Sequence, residues 1–427
     1  MLRSILILLV NIAAMYESVL GLCQVLGLSM SRHSSFVLTG TFRSPGPYGG
    51  CIGVLMAVLA AFIVQNRKAT RWPDRGLLWL SLVSCVLCFL VFPATMSRAA
   101  WLGFGVAATV FGFRELGLWE WLKRRKLIAT GIVVAVVIML FGLFFLKRDS
   151  AIGRLHIWHM EIRAMMEHPW SGYGKGSVLG VYGETQAEYF AEAARPAIIV
   201  RVAGCPEYAF NEYFRIGVEY GVPVMLGCML AVVGLIALLL WKKSPLSYGL
   251  VVLAVFAFCS YPLSCLRVKG EAEKQWEVVR YLSGMDLYEE AITKYAPLYT
   301  RLKDNYRFLY DYGYALHKCG NYEESNVILI KGSRISSDPM FHNIIGKNFE
   351  ALGQYEDARQ HYLLSHNMVP ARLYPLKLLM EMYERLGDET TASSYARQIL
   401  SMPYNERNRN MVGIRKDAKN CLIKYKD

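Results

Sequence analysis

Long apolar spans separated by short polar segments fill the first 265 residues, and the pattern then changes to short amphipathic stretches. A membrane-spanning helix needs about 20 largely apolar residues. No small-residue cleavage site follows the first span, which is therefore predicted to be retained rather than cleaved as a signal. The pattern predicts a polytopic helix bundle over residues 1–265 with spans at about 4–28, 47–64, 76–95, 99–113, 127–146, 224–241 and 246–264.

A polar, aromatic-rich loop interrupts these spans at residues 147–223. Arg154, Trp158 and Glu161 recur at helical spacing, which predicts that they share one face of a helix. The pair His168-Pro169 is predicted to end that helix, because proline disfavours helical geometry in the preceding residue. A flexible G-x-G-x-G turn follows, and without a strand before it and a helix after it this turn does not indicate a dinucleotide site.

The far end of the loop carries several charged residues. Glu212, Arg215 and Glu219 lie near one face of a predicted helix. Such a group is either a solvated salt-bridge face or part of a functional site, and the spacing alone leaves both interpretations open.

The C-terminal region contains an internal repeat. Its segments LYEEA, NYEES, QYEDA and DETTA end in small residues 34, 33 and 34 positions apart, at Ala291, Ser325, Ala358 and Ala392. A glycine marks the turn before each segment. This period resembles that of tetratricopeptide repeats, which implies an α-solenoid over residues 270–402 and a basic capping helix at 403–427. Such repeats bind a protein partner more often than they perform chemistry; an unrelated helical bundle is the alternative.

The net charge of +13 is concentrated in short loops between spans. The basic segments at 67–75, 114–126 and 242–243, together with Arg3, fall on one side if all spans are present, and the positive-inside bias makes that side cytoplasmic. The loop at 147–223 and the repeats then face outward, which in a bacterium means the periplasm. Basic residues are not gathered with aromatic residues on one soluble domain, so nucleic acid is not an expected partner.

Two outward-facing segments carry unusual residues. The run SPGPYGG at 44–50 is predicted to break helices and to let backbone approach a ligand, with an ordinary turn as the alternative. Arg98 lies between two apolar spans, where an arginine faces a cavity or an anion, or extends to the membrane interface.

Metal and disulfide chemistry are not indicated. His156 and His159 are three residues apart but have no third ligand at useful spacing. The ten cysteines show no metal spacing outside the apolar spans, where cysteine acts as a small buried hydrophobe. We expect neither a metal nor a cofactor.

Four motifs in residues 15–262 resemble, in order and spacing, those of the O-antigen ligase/polymerase family of membrane glycosyltransferases: TGTFRSPGPYGG, TMSRAAWLGF, GRLHIWHMEIRAMMEHPWSGYGKGSV and AFNEYFRIGVEYGVP. The resemblance implies a GT-C-like fold in the bacterial inner membrane. It also implies transfer or polymerisation of glycan from an undecaprenyl-diphosphate carrier on the periplasmic face, with a lipid or protein acceptor, in surface polysaccharide or glycoprotein synthesis. No nucleotide sugar or essential metal is implied.

The same resemblance assigns roles to residues. Arg98 and Arg154 match the arginines of the family's S-R-x-x-W and R-x-x-x-W motifs, where they would gather the diphosphate charge. Glu212, with Asn211 beside it, is the candidate general base for the acceptor hydroxyl. The candidate substrate-binding residues are Trp158, His168, Gly172, Gly174, Gly176 and Arg215.

Two departures from the family pattern keep other hypotheses open. Phe210 precedes Asn211 where the family's ligases carry a histidine, and phenylalanine cannot take a proton. The family usually has about ten or more spans, and the first span here resembles one of its middle spans. The alternative function is a non-catalytic, membrane-anchored repeat scaffold in envelope polysaccharide assembly. A transport function is a weaker hypothesis than these two, because the spans show neither a chain of intramembrane carboxylates nor an inverted repeat.

Overall fold

The computed structural model describes residues 2–33, 36–128, 148–260 and 270–425, together with residues 130, 131, 134, 142 and 145. Within these ranges every regular element is an α-helix or a short 3-10 helix, which confirms the all-α prediction. The chain forms two compact units. The membrane unit comprises the described residues within 1–146, 210–216 and 223–267, and the loop–repeat unit comprises those within 147–209, 217–222 and 268–427.

Helices that precede the repeats follow the predicted apolar and loop segments. In chain order they are α1 (Leu2–Val25), α2 (Pro45–Asn66), α3 (Trp72–Val91), α4 (Arg98–Glu115), α5 (Leu118–Arg124), α6 (Arg148–Glu167), α7 (Val178–Glu192), α8 (Ala197–Val202), α9 (Glu212–Tyr220), α10 (Val222–Trp241) and α11 (Leu246–Cys259).

Four helices in the described ranges are long and apolar enough to cross a membrane, at Arg3–Val25, Pro45–Asn66, Trp72–Thr95 and Val222–Trp241. They correspond to the first, second, third and sixth predicted spans. The fourth predicted span is α4, which is shorter and carries charged residues at both ends. The seventh begins as α11, which has 14 residues. The predicted fifth span, 127–146, lies largely outside the described residues, so the count of seven stays a prediction.

Polar side chains connect the helices of the membrane unit. The Nδ2 atom of Asn11 donates to Ser81 Oγ over 3.0 Å, and Ser18 Oγ donates to Cys88 Sγ over 3.3 Å, so both bonds join α1 to α3. Glu17, the charged residue inside the first span, is buried and accepts from the backbone N–H of Thr41 over 3.2 Å. Such bonds fix helix positions where apolar packing alone is unspecific.

The basic segments cluster at one end of the membrane unit. Arg3, at the start of α1, donates to Gln65 near the end of α2 over 3.2 Å. Gln65 in turn donates to Glu115 at the end of α4 over 3.4 Å, and Tyr248 near the start of α11 donates to the same carboxylate over 2.9 Å. These contacts gather the helix ends that flank the basic loops, as the charge pattern predicted.

The run SPGPYGG starts a helix, so the prediction that it breaks helices was wrong. Pro45 occupies the first turn of α2, where a missing backbone N–H costs nothing and the fixed φ angle suits the helix. Its glycines permit close packing: a Cβ atom on Gly49 would lie 2.8 Å from Ser97 Cβ. The run therefore holds the start of α2 against the turn before Arg98.

Helices packed on their neighbours in chain order form the C-terminal part of the loop–repeat unit, except that the short helix Tyr299–Leu302 contacts Glu271–Gly284. The four small residues at the repeat period, Ala291, Ser325, Ala358 and Ala392, are all fully buried. The helices are α12 (Glu271–Gly284), α13 (Tyr288–Tyr295), α14 (Tyr299–Leu302), α15 (Tyr306–Lys318), α16 (Tyr322–Ser333), α17 (Met340–Ala351), α18 (Tyr355–Met368), α19 (Tyr374–Leu386), α20 (Glu389–Ser401) and α21 (Arg409–Lys424).

Turn glycines lie at the helix ends that the sequence predicted, with one exception. Gly320, Gly353 and Gly387 have φ angles of 82°, 77° and 77°, in the left-handed region that ends a helix. Gly284 instead closes α12, and Asp286 adopts the left-handed conformation with φ 60°. The helix α21 occupies most of the segment predicted as a basic cap.

Candidate functional site

Arg98 begins helix α4 at the end of the membrane unit opposite the basic loops. The preceding turn is fixed by Met96, which has a left-handed φ of 50°, and by Ser97, whose side chain caps α4 through the N–H of Ala100 over 3.4 Å. Arg98 itself is half-buried. The SPGPYGG run and the S-R-x-x-W motif are separate motifs in the sequence, and the structure brings them together.

Asn211 and Glu212 start helix α9 and are both buried. The Oδ1 atom of Asn211 accepts from the N–H groups of Tyr213 and Phe214 over 3.0 and 3.2 Å, so this side chain is the N-cap of the helix. Its Nδ2 atom is buried and makes no hydrogen bond to the described residues. Asn211 therefore caps the helix, and its Nδ2 atom can still donate a hydrogen bond to the oxygen of a ligand.

Glu212 forms an ion pair with Arg215, whose Nε atom donates to Oε2 over 2.6 Å. The salt-bridge interpretation of this helical face is thus observed for these two residues, with Glu212 3% and Arg215 25% exposed at the side chain. A carboxylate held in this way has a defined orientation, which suits a base as well as a structural partner.

Phe210 stands before this pair with a φ angle of 55°. A bulky residue in the left-handed region is strained, and such strain persists only where the surrounding structure imposes it. The position at which the sequence resemblance led us to expect a histidine is thus also an unusual backbone position.

Arg154 and Trp158 lie on α6 in the loop–repeat unit, and the helix ends at Glu167 as His168-Pro169 predicted. Both side chains are half-buried. Glu161, one further turn along, is 2% exposed, and its Oε2 atom makes no hydrogen bond to the described residues. Burial raises the pKa of Glu161 well above its ordinary value, so this carboxyl is a proton-carrying candidate that the sequence placed on the face without assigning it a role.

His156 lies in a buried hydrogen-bond network. Its Nε2 atom is 2.8 Å from Gln186 Oε1, which also accepts from the Tyr182 hydroxyl. The amide of Gln186 donates to the carbonyls of Gly204 and Met368. Burial lowers the pKa of His156, which keeps the ring neutral. The ring therefore joins the core of the loop–repeat unit.

The three glycines of the G-x-G-x-G turn all have left-handed φ angles, 64°, 95° and 80° for Gly172, Gly174 and Gly176. Their N–H groups donate in order to the carbonyl of His168 over 3.1 Å, the carbonyl of Glu219 over 2.9 Å and the carboxylate of Glu219 over 3.1 Å. A Cβ atom on Gly172 would lie 2.5 Å from the carbonyl oxygen of Val218. Loop closure therefore accounts for these glycines, and their substrate role stays a prediction.

His168 is exposed at the start of this turn and lies edge-on to Tyr173, with ring centroids 4.4 Å apart. The Tyr173 hydroxyl donates to Glu167 over 2.8 Å. Burial and this carboxylate raise the pKa of Tyr173, so the hydroxyl stays neutral. His168 therefore presents an exposed imidazole beside a fixed aromatic ring, and its substrate role stays a prediction.

Two comparisons with known proteins bear on this arrangement. A search of curated proteins finds no match to the chain. The model of the family described as O-antigen ligase matches residues 83–229, about a third of the chain. That range contains Arg98, Arg154 and the Asn211-Glu212 pair. With the apolar helices, the match supports a multi-pass membrane protein with a role in glycan processing, and residues 83–229 are similar to the O-antigen ligase family.

Proposed function

We propose that this chain is a membrane glycosyltransferase that transfers or polymerises glycan from an undecaprenyl-diphosphate carrier on the periplasmic face of a bacterial inner membrane. The observation that carries the proposal is the match of residues 83–229 to the O-antigen ligase family. Gathering of the basic helix ends at one end of the membrane unit supports the orientation, because that end would be cytoplasmic.

The proposed chemistry needs positive charge at the leaving diphosphate and a base at the acceptor hydroxyl. Arg98 and Arg154 supply the charge, and neither is exposed enough for water to screen it fully. Glu212 takes the acceptor proton, with Arg215 fixing its carboxylate and Asn211 offering its buried amide to a substrate oxygen. Trp158 and His168 are proposed to contact the sugar.

Helices of the repeat region are proposed to form tetratricopeptide-like pairs that face the periplasm and bind a protein partner. The buried small residues at the 34-residue period support this arrangement. The second candidate function is a non-catalytic scaffold, which Phe210 favours because the histidine of the family's ligases is absent.

Complementation of a deletion strain tests the proposal. Arg154→Ala and Arg98→Ala should each lower glycan assembly about 100- to 1,000-fold, the loss typical of one transition-state donor, while the protein remains in the membrane. Arg163→Ala is the matched control, because Arg163 lies on the same helix and pairs with Glu192.

Glu212→Gln completes the set and should lower the transfer rate by about 100-fold or more, as expected for loss of a general base. Glycan ladders on gels and immunoblots of membrane fractions give the readouts. Full assembly with both arginine variants would reject catalysis and leave the scaffold, and normal transfer with Glu212→Gln would remove Glu212 from the role of base.

A further inference from the structure

A cavity of about 340 Å³ lies within the loop–repeat unit. Its walls come from the loop segment 205–207 and from helices α12, α15 and α17. Ser337 fixes the loop segment by donating from its hydroxyl to the carbonyl of Pro206 over 2.7 Å. The cavity is thus built jointly from two distant parts of the sequence.

Aromatic rings form one side of the cavity. Tyr306 and Tyr310 are half-buried, and Phe341 meets Tyr310 edge-on with ring centroids 5.2 Å apart. Burial raises the pKa of Tyr306, which keeps its hydroxyl neutral. The rings provide flat apolar surfaces that carry hydroxyl groups at their edges.

Charges in the lining occur as pairs of opposite sign. Arg307 donates to Glu207 over 2.6 Å, and Arg280 donates to Asp311 over 2.9 Å. Asp338, a fifth charged lining residue, adds a carboxylate that pairs with Arg372 over 3.5 Å. Every arginine here faces a carboxylate and no net positive charge remains, so a diphosphate or another strongly anionic ligand is disfavoured.

Asp311 is held rigidly in this lining. Trp276 Nε1 donates to its Oδ2 atom over 3.0 Å, and the bond from Arg280 ends on the same atom. Both bonds end on Oδ2, which leaves Oδ1 outside these two contacts. A side chain fixed by two donors, with one oxygen left over, is a preorganised acceptor for a ligand hydroxyl.

We propose that this cavity binds an uncharged pyranose unit of a glycan. A sugar ring combines an apolar C–H face, which packs on the tyrosine rings, with hydroxyl groups that pair with Asp311 and Arg307. The volume is near the lower end of ligand pockets, roughly 300–1,000 Å³, and suits one or two sugar rings. The proposal rests on the proposed function for the presence of glycan and makes the cavity a second glycan contact, outside the residues assigned to catalysis.

Saturation-transfer NMR on the full-length protein in detergent micelles tests this inference. The probes are the methyl glycoside of N-acetylglucosamine, glucuronic acid as the matched anionic sugar, and a lysine-rich peptide as the other plausible ligand for acidic groups. The uncharged glycoside should bind the wild-type chain, at least tenfold more tightly than glucuronic acid. Asp311→Asn and Arg307→Gln should each weaken its binding at least tenfold.

Arg359→Gln is the control, because Arg359 pairs with Glu356 on a repeat helix away from the cavity and its loss should leave sugar binding unchanged. Thermal unfolding identifies a variant that fails to fold, and Arg307→Gln, which removes the exposed pair with Glu207 and the bond to the Tyr306 hydroxyl, then decides the result. The inference is overturned if the wild-type chain does not bind the glycoside, or if both cavity variants bind it as tightly as the wild-type chain. It is also overturned if glucuronic acid binds with equal affinity, or if the peptide displaces the sugar.

Glycan assembly in cells separates this proposal from the catalytic one. If the wild-type chain binds the sugar but the Arg154→Ala variant assembles glycan normally, catalysis is rejected and the cavity site is kept. Normal dependence on Arg154 without sugar binding would reject the cavity site alone.

Discussion

Two helices, α10 of the apolar half and α19 of the repeats, place their apolar side chains in opposite ways. The first is apolar along almost its whole length and buries none of its residues, with Leu230 72% exposed. The second buries one face, on which Leu379 is fully enclosed. Lipid tails are as apolar as leucine, so a helix in a bilayer gains little by turning such side chains inward. The difference indicates that the two units fold against different solvents.

The largest expected effect comes from matched tyrosine truncations. Tyr362 is fully buried in the repeats, and its hydroxyl donates to Glu350 over 2.9 Å, whereas Tyr16 on α1 is 62% exposed. Tyr362→Ala should cost about 3–5 kcal/mol of local stability, as buried aromatic truncations do. Tyr16→Ala should cost less than about 0.5 kcal/mol. Hydrogen exchange of peptides from Tyr355–Met368 measures the first, and equal losses at both sites would contradict the comparison.

A charge introduced at equal exposure separates the two solvents directly. Leu230→Arg places an arginine near the middle of α10 and should cost about 2.5–3.5 kcal/mol of membrane insertion. Val327→Arg is the control, since Val327 on α16 is 68% exposed but faces water, and it should be nearly neutral. The inserted fraction and the protein level are the measurements. If Leu230→Arg left membrane insertion and protein level unchanged, α10 would not face lipid.

The smallest expected effect is a pH dependence of the stability of the repeats. His342 is buried against His361, with the two Nδ1 atoms 3.1 Å apart, and burial lowers the pKa of His342 from 6.5 to about 3. Below pH 6.5, His342 binds a proton in the unfolded chain but stays neutral in the folded chain. The free energy of unfolding therefore falls as the pH falls towards 3. The loss should be on the order of 2 kcal/mol between pH 7.5 and 5.

His342→Gln should flatten this pH dependence, measured as hydrogen exchange of the Met340–Ala351 peptide at both pH values. The Tyr362 region serves as the internal reference for global opening. An unchanged slope in the variant would assign the pH dependence to other groups, among which His361, with a pKa also lowered by burial, faces this position most directly.

Local periodicity explains what the sequence predicted correctly. The small residues Ala291 and Ser325 are buried because each lies at the same place in a helix pair, which depends on neighbours within one repeat. The end of α6 at Glu167 likewise depends only on the proline two residues later. In both cases the deciding contacts are close in sequence.

Contacts between distant residues explain what the sequence missed. Nothing near Gly176 shows that a carboxylate 43 residues away accepts its N–H, and nothing near Ser337 shows that it holds a loop carbonyl 131 residues earlier. The raised pKa of Glu161 also depends on its burial, which helical spacing does not reveal. The sequence therefore predicted which residue types belong to the candidate site. It did not predict the hydrogen bonds that their backbone groups make.

The closure at the base of the loop has a consequence for how such chains can diversify. The N–H of Tyr173 donates to the carbonyl of Val218, and the N–H of Val222 donates to the carbonyl of Pro169, each over 2.8 Å. The two ends of the stretch 173–218 are therefore hydrogen-bonded to each other. Once the ends are joined, doubling the length of the intervening chain costs only about 0.6 kcal/mol of closure entropy. Insertions in its exposed segment, residues 191–194, are therefore inexpensive, whereas the segments that carry the buried Gln186 and Glu212 cannot be exchanged freely.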